Sequence, residues 1–281
     1  MFRVEKMCKV LEVSRSGYYK WRNTPASERE QRRNELGERI QYHYEDSQGI
    51  YGSPKITHLL RDEGYTVCEK TVGRIMQEKG LRSITAKNFR VTTTDSNHDL
   101  PVAPNLLNQN FTTYAPNTVW VTDITYIRTR QGWLYLACVL DLFTRMIVGW
   151  ALADRMTVDL VTAALDAAYR NKHPKSGLIH HSDRGSQYAS AEYREKLTEY
   201  GMIPSMSRKG NCYDNACIES FHSLLKRELV YQTRFFTKEE ARQKIYWYIE
   251  FWYNRKRIHS SIRYLSPIRF EAAFYAQPVL A

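Results

Sequence analysis

The sequence predicts an α/β protein: a mixed sheet flanked by helices, with a helical region before it and a helical extension after it. Three observations predict this. Strand-like apolar runs, then alternating strands and helices, occupy residues 118–206. The segments on either side break into short helices punctuated by Ser, Thr and Pro starts and Gly stops. The charge follows the same division. Residues 1–100 carry 18 basic and 14 acidic side chains, 101–200 carry 10 and 9, and 201–281 carry 13 and 7. A nearly neutral centre with basic flanks fits a buried core with phosphate-contacting wings. A net charge of +11 alone favours nucleic acid only modestly. The expected divisions are a helical region over 1–82, a linker over 83–117, a core over 118–230 and a basic extension over 231–281.

In the first region, residues 7–21 read as two short helices, with Ser14 as N-cap of the second. Ser27 and Glu30 form a capping box before a long polar helix containing Leu36, Ile40 and Tyr44. Ser53-Pro54 starts another helix, with Ile56, Leu59 and Leu60 on its apolar face and Gly64 as its stop. A further helix covers about 70–79, with Val72, Ile75 and Met76 inward and Gly80 after it. The last two make a helix-turn-helix candidate whose Lys70, Thr71 and Arg74 face outward, where a recognition helix meets DNA. Spacing alone fits a plain bundle with a solvated face equally well; the basic charge tilts the reading toward DNA. Residues 83–117, rich in Thr, Asn and Asp with three prolines, read as a linker with a short strand around Phe89–Thr92.

The core opens with a strand over 119–127 that carries Asp123. Thr129-Arg-Gln-Gly132 is a hairpin turn, followed by strands over 133–140 and 146–152. A helix capped by Thr157 runs from about 158 to 169. Residues 178–181 form a short buried strand, with Asp183 at its carboxyl end. Ligand sites in open α/β sheets collect at such ends. Ser190 starts a helix that Gly201 ends, and 202–206 is a last short strand.

Glu219 lies on a helix over 215–226. Ile218, Phe221, Leu225 and Leu229 make its apolar stripe, while Asn215, Glu219, Ser223 and Lys226 make a neighbouring polar one. That stripe offers a carboxylate for metal and a Lys for phosphate, or simply a solvated face; Asp123 and Asp183 decide for the former. Two acids from strands and one from a helix can converge on two Mg²⁺ ions, since hard divalent cations select carboxylate oxygens. Such a pair clamps the attacking and leaving oxygens of a phosphoryl transfer. His181 shares a strand face with Asp183, so it either orients the metal shell or packs beside it, while His180 faces the other way. Arg208 and Lys209, ahead of the helix, are further candidate DNA contacts, together with Asn215 and Lys226. In the extension, Thr237 and Glu240 form a second capping box. Trp247, Tyr248 and Trp252 are expected in the core, while Arg255, Lys256 and Arg257 are expected to face DNA.

The residues Thr122-Asp123-Ile-Thr-Tyr126, His181-Ser-Asp183-Arg-Gly-Ser-Gln-Tyr188, Gly210-Asn-Cys-Tyr-Asp-Asn-Ala216, Glu219-Ser-Phe221, Tyr253-Asn254-Arg255 and His259 carry a resemblance. The chain resembles DDE transposases of bacterial insertion sequences with a retroviral-integrase-like core, and among them the second-reading-frame product of two-frame elements. The similarity runs over nearly the whole chain. The Asp183 loop followed after 35 residues by Glu219-Ser-Phe is highly specific, whereas any one acid is weak. The resemblance implies an RNase H-like core and a cofactor of Mg²⁺ or Mn²⁺, as two ions. It further implies strand cleavage and joining of double-stranded DNA at element ends, with Asp123, Asp183 and Glu219 as metal ligands. A homo-oligomer at the synapsed ends and a fused first-reading-frame partner are also implied. Integrases carry a module of two His and two Cys for zinc; no such spacing occurs here, so no zinc is expected.

Five scattered cysteines form no CxxC pair and argue against a disulfide framework, which fits a reducing cytoplasm; the resemblance implies a bacterial one, at the nucleoid. Neither a signal peptide nor a membrane span is expected. Two other readings compete. A DNA-binding regulator without catalysis leaves the spacing of the acids unexplained. A two-metal nuclease that cuts without joining uses the same site with a different nucleophile.

Overall fold

A computed structural model describes residues 3–25, 27–85, 100–209 and 211–276. The strand expected around Phe89–Thr92 lies outside the described residues. The chain forms two compact units, Met1–Ser83 and Ile84–Ala281, so the described part of the expected linker and the C-terminal extension belong to the second unit.

The first unit is helical: α1 (Val4–Val10), α2 (Arg15–Asn23), α3 (Glu28–Asp46), α4 (Ser53–Asp62) and α5 (Glu69–Glu78). Local chemistry sets the boundaries. Ser14 Oγ accepts from Gly17 N and Ser27 Oγ from Glu30 N, each satisfying an orphan N–H of a first turn. Pro54 sits in the first turn of α4. Gly64 and Gly80, at φ +92° and +69°, turn the chain out of α4 and α5. Leu36 and Ile40 of α3, Ile56 and Leu60 of α4, and Val72, Ile75 and Met76 of α5 are buried. Those are the faces of three helices that pack on one another. Lys70 and Arg74 remain exposed on α5.

The second unit is built on a five-stranded sheet of order β3-β2-β1-β4-β5, from β1 (Val119–Thr129), β2 (Gly132–Asp141), β3 (Ile147–Ala153), β4 (Ile179–Ser182) and β5 (Ile203–Met206). β1 to β3 are antiparallel, joined first by the two-residue turn before Gly132, which takes φ +101°. β4 and β5 run parallel to β1. One face packs on α6 (Val158–Lys172) and α8 (Ala191–Glu199), where Trp120, Val139, Leu160, Ala164, Leu165 and Tyr193 share a core. Gly149 is required there: a Cβ on it would lie 2.4 Å from Ala164 O and from Ala168 N. A four-residue turn, α7 (Ser186–Ala189), lies between β4 and α8 and was not expected. Thr157 precedes α6 as expected, yet its side chain makes no capping bond.

The other face carries α9 (Ala216–Glu228) and α10 (Lys238–Trp247), both of which pack on β1. Thr237 Oγ1 accepts from Glu240 N, and Glu240 Oε2 accepts from Phe236 N, so the capping box forms across one extra residue. α10 runs directly into a π-helical segment, Tyr248–Lys256, before α11 (Pro267–Ala276). From this segment Asn254 donates to Ile147 O at 2.9 Å and accepts from Ile147 N at 3.0 Å, satisfying backbone groups at the start of the edge strand β3. Glu250 accepts from Trp150 Nε1 at 2.7 Å.

Two expectations for this extension are corrected. Trp247 is 42% exposed, because it falls off the stripe made by Ala241, Ile245, Tyr248, Ile249 and Trp252, which are all buried. Arg257 does not face DNA. It is 6% exposed and forms a two-toothed ion pair with Glu228 of α9, at 2.7 Å from Nη2 and 3.0 Å from Nε. Glu228 also accepts from Tyr248 Oη at 2.8 Å and Trp252 Nε1 at 3.2 Å. A buried carboxylate demands such a set of donors, and basic sequence context hides the demand. Arg257→Met strands the Glu228 charge and should cost about 3–5 kcal/mol. Arg255→Ala, on an exposed residue, should change stability by no more than ~0.5 kcal/mol. Urea denaturation of the two variants beside wild type checks both.

Candidate active site

Strand pairing brings the first two acids together. β1 pairs with β4 in the register Val119↔Ile179, Trp120↔His180 and Val121↔His181. Continuing that register by two residues sets Asp123 beside Asp183. Alternation then puts both on the sheet face of Val121 and His181. Asp123 lies within β1, opposite Cys138 of β2, while Asp183 lies just past the end of β4. β1 is the strand where the sheet changes from antiparallel to parallel, and crevices at such switch points collect ligand sites.

The third acid comes from α9, and two side chains besides Glu219 tie that helix to β1. Asn215, at the N-cap, donates from Nδ2 to Thr122 O at 3.1 Å. His222 places Nδ1 3.3 Å from Asp123 Oδ2. Ahead of the helix, buried Asp214 accepts from Arg208 N (2.8 Å), Arg208 Nε (2.9 Å), Asn105 Nδ2 (2.9 Å) and Gln109 Nε2 (3.0 Å). These bonds fix the turn Cys212–Asn215 from which α9 starts, and the Arg208 guanidinium holds the Asp214 carboxyl far below its ordinary value.

The acids sense one another. Burial and then the Asp123 charge raise Glu219 above its ordinary value. Tyr188, buried between β4 and α8 with its Oη 3.3 Å from Thr122 Oγ1, is raised well above a normal phenol, first by burial and then by Tyr193, Asp123 and Asp183. That burial removes Tyr188 as a covalent nucleophile. Asp123 Oδ1 accepts from Ile124 N at 2.8 Å, and Asp183 Oδ1 from Gly185 N at 2.9 Å. Among the described residues no group of three His, Cys, Asp or Glu side chains is already drawn close enough to hold a metal ion. The set still fits a hard divalent cation in kind: the donors are carboxylate oxygens, and Asp123 and Glu219 carry mutual repulsion that a cation relieves.

Comparison with known proteins decides the family. Integrase core domain models match residues 113–212 and 200–267, and an HTH-like domain matches 31–89. The insertion element IS600 uncharacterized 31 kDa protein of Shigella sonnei is 46% identical over 96% of this chain and 98% of its own. Transposase InsF for insertion sequence IS3A of Escherichia coli strain K12 is 43% identical over 96% of this chain and 94% of its own. The chain belongs to the insertion-sequence transposases with an integrase core. A chain of the simian T-cell lymphotropic virus intasome, solved by cryo-EM in complex with PP2A regulatory subunit B56 gamma, shares the fold of this transposase. Its TM-score is 0.50 at 14% identity, covering 86% of this chain and 76% of that one.

The other expected site residues of the transposase divide. Lys209, Arg255 and Lys256 are exposed, as are Lys70 and Arg74 on the first unit. Arg208 is half exposed but engaged by Asp214. Asn215, expected at the DNA surface, is 4% exposed and serves β1 instead, because its N-cap position aims its amide at the Thr122 carbonyl. Lys226 leans on the Tyr126 ring at 4.6 Å; burial lowers its pKa and the Asp123 charge partly restores it. His181 bonds Ser205 Oγ at 2.8 Å and Ser207 Oγ at 3.2 Å, and burial pushes it down to about 4. His222 escaped the sequence reading, although a signal existed. The spacing i, i+4, i+7, i+11 from Asn215 selects Glu219, His222 and Lys226; Ser223, taken in place of His222, is exposed.

His180, on the opposite face, meets Tyr193 Oη at 3.2 Å and is pushed down to about 3, first by burial and then by His181. An unfolded His binds protons below its ordinary value of 6.5, and the folded one does not until about 3. The folded state is therefore favoured fully above pH 6.5 and loses that advantage as pH falls toward 3. The melting temperature of wild type should drop more between pH 7 and pH 4.5 than that of His180→Phe, read by circular dichroism.

Proposed function

We propose that this transposase cleaves DNA at the ends of an insertion sequence and joins the freed ends to target DNA, with Asp123, Asp183 and Glu219 as the reacting centre. What supports the reading is electrostatic: Glu219 feels the Asp123 charge, and Tyr188 feels both Asp123 and Asp183. The β1–β4 register, continued two residues past Val121↔His181, would align Asp123 with Asp183, and α9 brings Glu219 into the field of Asp123. A phosphodiester repels a nucleophile that is itself negative. A divalent cation, Mg²⁺ or Mn²⁺ and as a pair, would supply Lewis-acid stabilisation of the attacking and leaving oxygens. Asp123, central among the acids, would be shared, with Asp183 and Glu219 on either side. Lys226, one turn beyond His222 on the same stripe, would meet a phosphate oxygen near the site. Lys70 and Arg74 on α5, and Arg255 and Lys256 after the π-helical segment, would neutralise phosphates farther along the DNA.

Two experiments test this. In strand transfer with labelled element-end DNA and Mg²⁺, Asp123→Asn, Asp183→Asn and Glu219→Gln should each lose joined product by more than ~100-fold. That exceeds the roughly 10–100-fold cost of removing a residue that only supports a metal ligand. DNA binding should persist in all three. Cleavage without joining in wild type would identify a nuclease, and unchanged joining in the variants would remove the acids from the reaction. Separately, replacing both Lys70 and Arg74 with Ala should flatten the dependence of log affinity on log salt by about 0.9 per lost phosphate contact. Titration of duplex DNA by fluorescence anisotropy at several salt concentrations reads that slope, and an unchanged slope would remove α5 from the DNA interface.

A further inference from the structure

We propose that His222 is a positioning residue for the Asp123 carboxylate, holding it in the orientation that receives a divalent cation and so setting the affinity of the site for that ion. The inference rests on the metal-dependent reading above and adds to it a residue outside the acid triad.

The geometry assigns this role by elimination. Asp123 has a protein neighbour at each oxygen: Oδ1 accepts from Ile124 N at 2.8 Å, and His222 Nδ1 lies 3.3 Å from Oδ2. A carboxylate flanked at both oxygens favours one orientation, which leaves its remaining lone pairs for a cation. His222 is 6% exposed, and its Nε2 is buried without a hydrogen-bond partner among the described residues. An enclosed nitrogen cannot touch DNA, which excludes a direct acid, base or phosphate-binding role. A residue selected only for packing would also be expected to lack polar atoms, since an unpaired buried nitrogen is unfavourable. The contact with Asp123 is what distinguishes His222 from its apolar neighbours Ile218, Phe221 and Leu225 on the same helix.

The position on α9 sharpens the argument. Asn215, Glu219 and His222 stand at i, i+4 and i+7, one helical face. Asn215 fixes the helix to the backbone carbonyl of Thr122, and His222 fixes the very next side chain, Asp123. Glu219 lies between these two contacts. The helix that delivers the third acid therefore also orients the first, and the spacing of Asp123 and Glu219 is set by a two-point attachment. Partners that orient metal-ligating carboxylates typically change metal affinity about 10–100-fold when removed.

The test compares two replacements in the full chain. His222→Asn keeps an N–H near the Nδ1 position, and His222→Phe keeps the ring and removes the donor. Mn²⁺ binding is titrated by electron paramagnetic resonance without DNA, so the readout does not depend on activity. Expected are a half-saturating Mn²⁺ concentration raised about 10–100-fold in His222→Phe and within a few-fold of wild type in His222→Asn. Equal affinity in all three proteins, or equal weakening in both variants, would overturn the proposal, the latter by assigning His222 to packing. If the Phe variant does not fold, His222→Leu, similar in size to Asn without its donor, takes its place. Asp123→Asn separates the two levels of inference. Loss of Mn²⁺ binding in that variant upholds the metal site whatever His222 does, whereas wild-type binding there would sink the metal reading and this proposal with it.

Discussion

Everything about the candidate site hangs on how β1 is held. It is the central strand, antiparallel to β2 and parallel to β4, and α9 is fastened to its open face. The parallel pairing with β4 ends at Val121↔His181, so residues 123 and 183, 60 positions apart in the chain, each stand two positions beyond its last pair. Hydrogen bonding from Asn215 to the Thr122 carbonyl adds the third acid from 219. A slip of one residue in the β1–β4 register would turn Asp183 to the opposite face, because side chains alternate along a strand. The apolar packing of Trp120 and Val139 against Leu160 and Ala164 of α6 opposes that slip, since it would expose one buried set and bury the acids.

Charge burial explains the rest of the architecture. Glu219 is raised by its burial and by the Asp123 charge, so the two carboxylates work against one another. The protein instead surrounds the region with fully partnered charges. Asp214 collects Arg208, Asn105 and Gln109 at the start of α9, and Glu228 collects Arg257, Tyr248 and Trp252 at its end. A helix with both ends pinned can hold an unfavourable carboxylate in its first turn. The C-terminal extension is thus part of the framework of the site: its Arg257 closes the buried pair, and its Asn254 covers the edge of β3.

Much of this was legible in the chain. Caps at Ser14, Ser27, Ser190 and Thr237 and stops at Gly64, Gly80 and Gly201 act over three or four residues, so they could be read directly. The hairpin before Gly132 and the apolar runs of β2 and β4 were visible for the same reason. Arg257 and Asn215 were misread because each is polar in a polar context, and only its long-range partner, Glu228 or Thr122, reveals burial. His222 was passed over because its role depends on Asp123, 99 positions earlier.

The sequence by itself determined the family and the class of fold and singled out three acids as candidates, because motif spacing, periodicity and capping are local properties of a chain. The tertiary structure alone decided which polar residues are buried and what they grip. It turned Arg257 inward to Glu228, Asn215 to the β1 backbone and His222 to Asp123. The reason is physical: a polar group enters the interior only when a partner meets it there, and that partner is supplied by folding rather than by neighbours in sequence.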